Sequence, residues 1–384
     1  MDRANIVIIG GGVVGCAAAM ELASRWPDVF LLERMPRVGM ASSTRNSGVL
    51  HSGIYYTPGS LKARLCVEGN RLAYEFCEAY GVPHRATGKL VVATEPGNEH
   101  VLEELAARGR TNGVTGMKIV DRAAIREREP HIRSAAALWM PSTGIVSAEE
   151  LVKTYARLAR DRGANIVTSA RVVALDPDGQ CISVTVEIGA EDGKPGTLET
   201  IEARCVINCA GLYADEVAAM LGFSQYRIYP VRGEYCEVIR ARSDLVRGLV
   251  YPLPHPEGMS LGVHLTKTLW DTVLVGPTAR YVNEKDDYEK DRLPIEEFAR
   301  MAHELLPELR VEDLRLAYSG LRAKLVPPRD ASGVEPAGGP ADFVITRDPQ
   351  VHAAIHLIGI ESPGLTSALA IARYVAPMAA ETLS

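Results

Sequence analysis

Long apolar runs are missing from this sequence. The N-terminal one, Ile6 to Ile9, gives way to glycines, and no stretch reaches the length that a membrane-spanning helix requires. Nor does the N-terminus read as a secretory signal. Charge of one sign is missing too. Lys and Arg number 42 against 48 Asp and Glu, for a net charge of −6, and the basic residues are scattered among acids. That excludes the basic stripe of a nucleic-acid binder. Paired cysteine motifs are absent. The seven cysteines (Cys16, Cys66, Cys77, Cys181, Cys205, Cys209, Cys236) are an odd number with no C-x-x-C or C-x-x-H spacing. Several sit in apolar contexts, as in Val206-Ile207-Asn208-Cys209-Ala210-Gly211, and read as reduced core thiols. The expected placement is cytoplasmic, with peripheral membrane contact left open. The chain shows no internal repeat and no low-complexity segment.

What is present is ordinary globular composition, 47% hydrophobic and 23% charged over 384 residues, long enough for two domains. Ala4 to Ile9 reads as a buried parallel strand. Gly10-Gly11-Gly12-Val13-Val14-Gly15 follows as G-x-G-x-x-G, and Cys16 to Arg25 reads as a helix. Val29 to Leu32 is the next strand, ended by Glu33. Each part has a physical task. Gly10 permits the tight turn, Gly12 lets a pyrophosphate approach, and Gly15 lets the helix sit close on the strand. The helix N-terminus favours phosphates, and Glu33 suits ribose hydroxyls while repelling a 2′-phosphate. The fingerprint therefore predicts a dinucleotide site.

Gly39 to Tyr56 comes directly after this unit. Ser42, Ser43, Thr44, Arg45, Asn46 and Ser47 are six consecutive polar residues, followed by Gly48, His51, Ser52 and Gly53. The run has no period of 2 or 3.6, so it is expected to form neither a buried strand nor a core helix. Its hydroxyls, amide and guanidinium suit a polar, phosphate-bearing ligand. A flexible surface loop is the plainer alternative.

Further along, Ser60 is placed to cap a helix to Tyr80. Leu61, Leu65, Leu72, Phe76 and Tyr80 mark its inner face and Gly81 its end. Gly88 to Thr94 is a strand, and Asn98 to Gly113 and Asp121 to Pro130 are helices. Ser147 and Glu150 form an S-x-x-E box before a helix to Arg162. Ala164 to Ala174, Ile182 to Ile188 and Leu198 to Ala203 suggest a meander, with turns at Pro177-Asp178-Gly179 and Gly193 to Gly196. Cys205 to Asn208 is a separate buried strand whose Cys209-Ala210-Gly211 turn allows close approach to a ligand. Tyr226 to Ile239, Gly248 to Leu253, Met259 to His264 and Thr272 to Val275 suggest an antiparallel sheet. Pro294 to Leu306 is a helix, and Leu314 to Leu325 carries Tyr318-Ser319-Gly320-Leu321-Arg322-Ala323-Lys324. Phe343 to Ile345 and Ile355 to Ile358 are the last strands. After a turn at Gly359 to Gly364, Thr366 to Leu383 is a helix disturbed at Pro377.

Together the fingerprint, Arg45 to Tyr56, Asn208 to Gly211, Pro230 to Tyr235, Leu261 to Thr266 and Ile360 to Ala372 resemble the FAD-dependent oxidoreductases of the D-amino-acid oxidase superfamily. Within it, the chain most resembles the L-2-hydroxyglutarate dehydrogenase/oxidase group, and the likeness covers nearly its whole length. Arg45 to Tyr56, continued by Pro58 to Cys66, carries the group-specific part. Two departures place the chain in a shorter branch. The segment from Gly276-Pro277 to Tyr318 is shorter, and Ile360 to Leu365 is not of that group's Asn-Ala-Pro-Ser-Pro-Ala type.

The resemblance implies an α/β fold, with a Rossmann-like FAD-binding domain (1–84, 146–223 and 340–384) and a mixed-sheet substrate domain (85–145 and 224–339). The active site is expected between them. It implies FAD rather than NAD, in keeping with a single G-x-G-x-x-G. The candidate cofactor contacts are Gly10, Gly12, Gly15, Glu33, Ser42, Ser43, Arg45, Asn46, Ser47, Val172, Gly211, Gly359, Gly364, Leu365 and Thr366. The implied reaction oxidises a small acidic 2-hydroxy acid to the 2-keto acid by hydride transfer to flavin N5. The partners are then the acid and an electron acceptor of unspecified kind. Amino-acid or amine oxidation, or a flavoprotein without turnover, are the alternatives.

The candidate catalytic residues are His51, His264 and Arg322. His51, in a glycine-rich polar segment, suits proton transfer or a structural role. His264 alternates with Leu261, Val263 and Leu265, so it is either a site base or a bonded sheet histidine. Arg322 follows Gly320 in apolar surroundings, as a carboxylate clamp or a surface ion pair. Arg232 offers the same chemistry or a pairing with Glu234. Lys267 and Lys324 are weaker candidates, and of Tyr55 and Tyr56 one is expected to pack.

Overall fold

A computed structural model describes residues 2–190, 194–254, 262–328 and 341–384. The chain forms two compact units, one of 1–44, 148–230 and 322–384, the other of 45–147 and 231–321. The expected boundary at 84 therefore moves to 44. Residues 45–84 join the second unit because their partners lie there. Asn70 Nδ2, for example, donates to the carbonyls of His51 (3.1 Å) and Ser142 (2.9 Å).

The first unit is built on five parallel strands, in the spatial order Asn165–Thr168, Val29–Glu33, Asp2–Ile9, Thr197–Asn208, Ala354–Ile358. Ile6, Val7 and Ile8 are fully buried, as a strand covered on both faces requires. Helix Val13–Ala23 packs against helices Ala148–Asp161 and Gly364–Leu383. Ala170–Asp178 and Cys181–Ile188 continue the sheet as an antiparallel meander onto Thr197–Asn208. That last strand is continuous, where two strands were expected. The interrupting Arg204 turns its guanidinium outward to Asn5 Oδ1 (3.3 Å) and the Leu383 carbonyl (2.7 Å), so the backbone need not break. The C-terminal helix likewise runs through Pro377. The lost hydrogen bond is offset by the buried packing of Val375, Ala376 and Ala379.

The second unit holds a mixed sheet. Its strands run in the order Arg280–Tyr281, Tyr229–Val238, Val273–Gly276, His264–Lys267, Leu249–Pro252, Lys89–Ala93, Ala136–Met140, Lys118–Asp121, and Leu314–Lys324 pairs with Tyr229–Val238. The Leu249–Pro252/Lys89–Ala93 pair is parallel, between antiparallel neighbours. Alternation divides the sheet. Leu90, Val92, Val250, Leu265 and Val275 pack with Phe298 and Ala302 of helix Ile295–Ala302. Val91, Ala93, Leu138, Met140, Leu249 and Tyr251 pack with Ile54 and with Leu102 and Leu105 of helix Glu99–Thr111.

Helix Leu61–Tyr80 starts and stops where its caps dictate. Ser60 Oγ accepts from the Ala63 N–H (3.1 Å), and Gly81 takes the left-handed conformation at φ 68°. Tyr80, expected inside, is exposed. The polar run also departs from expectation. Val49–Leu50 is a short buried strand paired with Gly144–Val146, which in turn pairs with His84–Arg85. The strand expected at Met259 to His264 is His264–Lys267, its earlier part (259–261) lying outside the described residues, as does Gly193 of the expected turn.

Candidate functional site

In the first unit, the carboxyl ends of adjacent parallel strands carry the predicted turns. Ile9 pairs with Asn208, and Asn208 with His356, so Gly10, Cys209-Ala210-Gly211 and Gly359 lie past neighbouring strand ends. That is where an open parallel sheet takes its ligands. The glycines are not equivalent. Gly10 has φ 108°, and a Cβ there would meet the Cys209 carbonyl oxygen at 2.5 Å. A Cβ on Gly15 would overlap the Gly10 carbonyl. Both are demanded by the protein's own packing. A Cβ on Gly12 would meet only Ser43 Oγ, at 3.0 Å, and one on Gly211 (φ 58°) nothing within 4 Å. Their missing side chains leave space that the protein does not fill.

Glu33 is buried with its carboxylate turned back on the loop. Oε2 accepts from the Gly11 N–H (2.6 Å) and Oε1 from the Met35 N–H (2.8 Å). Each oxygen keeps lone-pair capacity for a ribose hydroxyl. Ser43 Oγ accepts from the Val13 N–H at 2.9 Å, which draws the serine run onto the start of helix Val13–Ala23. Ser42 precedes it, half-buried. Val172 flanks a bulge in the meander, packed in the apolar core of the unit. Sequence reasoning missed Arg34, whose guanidinium lies 3.8 Å above the Tyr213 ring and ties the second strand's end to the Gly211 turn.

That turn is also pinned from below. Asn208 Nδ2 donates to the Ala214 carbonyl (2.7 Å) and faces His356 Nδ1 (3.3 Å), while His356 Nε2 faces Asp348 Oδ2 at 3.0 Å. Burial lowers the His356 pKa, so the neutral ring accepts at Nδ1 and donates from Nε2. At the C-terminus, Gly359 (φ 71°) abuts Leu325, and no side chain caps helix Gly364–Leu383. Gly364 N–H donates to the Glu361 carbonyl (2.5 Å), Leu365 is half-buried, and Thr366 is buried. A Cβ on Gly364 would meet the Ile360 side chain at 2.9 Å, so a side chain there would crowd the protein itself.

In the second unit, Arg45 to Tyr56 lies along one face of the mixed sheet. Gly320 abuts the Arg45 carbonyl, and Tyr318 Oη donates to the Asn46 carbonyl at 2.8 Å. The Arg45 guanidinium sits 4.3 Å over the Tyr288 ring. Asn46 Oδ1 accepts from the Gly48 N–H (2.8 Å), closing a turn around half-buried Ser47. His51 is held by its carbonyl, which accepts from Asn70 and from Cys66 Sγ (3.4 Å). His264 is buried and stacks on Tyr251, with ring centroids 3.7 Å apart and planes at 19°. Its Nδ1–H donates to the Gly262 carbonyl (3.0 Å), which puts the imidazole lone pair on Nε2. A histidine so tautomerised accepts a proton at Nε2.

Arg322 lies half-buried on strand Leu314–Lys324, on the same side of that strand as Tyr318 and Gly320 by alternation. Arg232, by contrast, is structural. It is fully buried, bonded to Glu234 Oε1 (3.0 Å) and Asp287 Oδ1 (2.7 Å) and to the backbone at Lys290 and Asp291. Lys267 is spent on the Ser243 carbonyl (2.6 Å). Tyr55 packs, its hydroxyl reached by a buried lysine, Lys89, that sequence reasoning passed over.

Residues 5–378 match the family described as DAO, FAD dependent oxidoreductase. The chain belongs to this family of FAD-dependent oxidoreductases. It is 34% identical to the mitochondrial L-2-hydroxyglutarate dehydrogenase of Nematostella vectensis, over 99% of this chain and 91% of that one. It is 31% identical to the L-2-hydroxyglutarate dehydrogenase of Escherichia coli K12, over 97% and 92%. Among solved structures it is similar to the FAD-bound L-alpha-glycerophosphate oxidase of Mycoplasma pneumoniae, with a TM-score of 0.85 and 25% identity over 100% and 95% of the two chains. Glycine oxidase from Geobacillus kaustophilus shares the fold, with a TM-score of 0.79 at 21% identity over 99% and 95%. FAD is therefore the cofactor of this oxidoreductase, and the space left open at Gly12 and Gly211 and the spare lone pairs of Glu33 are compatible with a dinucleotide. Among the described residues no helix is long and apolar enough to cross a membrane.

Proposed function

We propose that this oxidoreductase converts L-2-hydroxyglutarate to the corresponding 2-keto acid. The observation that carries the reading is the His264 tautomer. An alcohol must lose its hydroxyl proton as it is oxidised, and His264 keeps the accepting lone pair on Nε2 while Nδ1 is fixed to Gly262. Stacking on Tyr251 holds the ring plane. The names of the relatives support the acid.

Bound FAD supplies the hydride acceptor. The protein's residues do the rest. His264 takes the hydroxyl proton at Nε2. The Arg322 guanidinium pairs with a substrate carboxylate, which fixes the orientation of the adjacent C2. Asn70 and Cys66 fix the backbone of His51, which shapes the polar segment alongside. Gly10, Gly12, Gly15 and Glu33 would hold the dinucleotide, with Ser42, Ser43, Arg45, Asn46 and Ser47 on the segment that follows. Val172, Gly211, Gly359, Gly364, Leu365 and Thr366 would complete the cofactor contacts. The start of helix Gly364–Leu383 would offer its positive end to the bound cofactor.

The test is anaerobic bleaching of the flavin by a panel: L- and D-2-hydroxyglutarate, glycine, proline and glycerol 3-phosphate. Fast bleaching by the L-hydroxy diacid alone is the expected result. Bleaching by an amino acid or by glycerol 3-phosphate in its place would reject the reading.

A further inference from the structure

Lys89 is the most buried cation of the second unit whose charge is matched by no carboxylate. It is 1% exposed, and among the described residues no carboxylate lies within ion-pairing distance of its ammonium. Its company is aromatic. Nζ lies 3.5 Å from Tyr55 Oη, 4.6 Å from the Tyr55 ring centroid and 4.3 Å from the Tyr251 centroid. Tyr251 in turn stacks on His264. Strand alternation explains the convergence. Lys89, Val91 and Ala93 share the face that carries Tyr251, and Tyr55 comes from the segment laid over that face.

The titratable neighbours bring no negative charge. Burial raises the Cys66 thiol and the Tyr55 phenol, so both stay protonated. Tyr251 offers a ring face and His264 a neutral or cationic ring. A buried ammonium that meets only ring faces and one phenol is costly to keep charged. Burial accordingly lowers its pKa to about 7.

We propose that Lys89 is a specificity-determining residue, the counter-charge that makes the His264 side of this sheet prefer a dicarboxylate to a monocarboxylate 2-hydroxy acid. The proposal rests on the hydroxy-acid reading above and deepens it. Lys89, on the sheet face that carries Tyr251 and His264, answers one carboxylate of the diacid. Because a nearby anion favours the protonated amine, binding of a dicarboxylate brings a proton from solvent onto Nζ. A monocarboxylate, lacking the second charge, brings none.

The experiment uses the FAD-loaded protein with glutarate and butyrate, neither of which carries an oxidisable hydroxyl. Flavin absorbance gives affinities. Calorimetry in two buffers of different ionisation enthalpy counts protons, at about pH 6 and about pH 8.5, on either side of neutrality. Wild type should prefer glutarate and take up close to one proton at the higher pH and little at the lower. Lys89→Met should weaken glutarate about tenfold or more, the scale of one charge-assisted contact. It should leave butyrate within about twofold and abolish the proton uptake. A Lys89→Met protein with unchanged glutarate preference and unchanged uptake overturns the proposal, as does a wild type that does not prefer glutarate. Bleaching by L-2-hydroxyglutarate is scored separately. No bleaching with an intact, Lys89-dependent glutarate preference rejects the substrate reading alone. Bleaching with a preference indifferent to Lys89 rejects the counter-charge alone.

Discussion

Gly320 abuts the carbonyl oxygen of Arg45 so closely that a single added methyl group would overlap it. Two residues earlier on the same strand, Tyr318 Oη donates to the Asn46 carbonyl. The strand thus holds the polar segment by its backbone, not its side chains. Gly320→Ala should push that segment off the sheet, with an overpacking cost of about 1–3 kcal/mol. Tyr318→Phe removes one hydrogen bond and should cost about 1 kcal/mol. Thermal melts and the flavin-to-protein absorbance ratio check both. An alanine at 320 that leaves melting temperature and flavin content untouched contradicts this packing.

The fingerprint glycines should separate into two kinds. Gly15→Ala drives a Cβ into the Gly10 carbonyl, so the unit itself should be destabilised and the protein recovered poorly. Gly12→Ala meets only Ser43 Oγ at 3.0 Å and should fold, while losing flavin to the methyl group in the pyrophosphate space. Circular dichroism of the two apoproteins, beside their yellow colour, distinguishes these outcomes. Equal loss of fold in both would remove Gly12 from the cofactor contacts.

Lys89 also predicts a stability profile. Its folded pKa, about 7, lies below the value of about 10.4 expected for an unfolded lysine. Below about pH 7 both states are protonated, and the folded state bears the full cost of the buried charge. Between about pH 7 and 10 only the unfolded state holds the proton, so stability rises with pH. Lys89→Met should therefore melt higher than wild type. The gap should be widest below pH 7 and close as the pH approaches 10. A gap that widens with pH would mean the amine is not held low by burial.

The parts legible in sequence are those fixed by local physics. Gly10 to Gly15, the Ser60 and Gly81 caps and the alternating strands impose their own conformation whatever surrounds them. The parts that were not legible depend on distant partners. Arg232 reads evenly between site and scaffold until Asp287, 55 positions away, closes on it. Lys89 opens an apolar strand as an unremarkable lysine, because nothing local says that Tyr55 and Tyr251 converge on it. Leu198 to Ala203 and Cys205 to Asn208 read as two strands although Arg204 joins them into one, because its long side chain leaves the strand sideways to the Leu383 carbonyl.

Arg232 supplies the last test, since it has the chemistry of a carboxylate clamp and the surroundings of a girder. Its side chain and that of Glu234 are fully buried, and Asp287 completes the network. Removing one partner of a buried pair leaves the other charge uncompensated, which costs about 3–5 kcal/mol. Arg280 and Arg292, 3.5 and 3.7 Å from the Glu234 carboxylate, should soften that loss toward its lower end. Arg232→Met should therefore lower the denaturation midpoint sharply, while the folded fraction keeps the wild-type KM. Arg322→Met should do the reverse. Loss of a charge-assisted carboxylate contact, worth about 1.5–3 kcal/mol, should raise KM and lower kcat/KM. Measuring both constants on both variants, with active-site flavin content as the concentration standard, assigns the two arginines. An Arg232→Met enzyme with normal stability and a raised KM would exchange their roles.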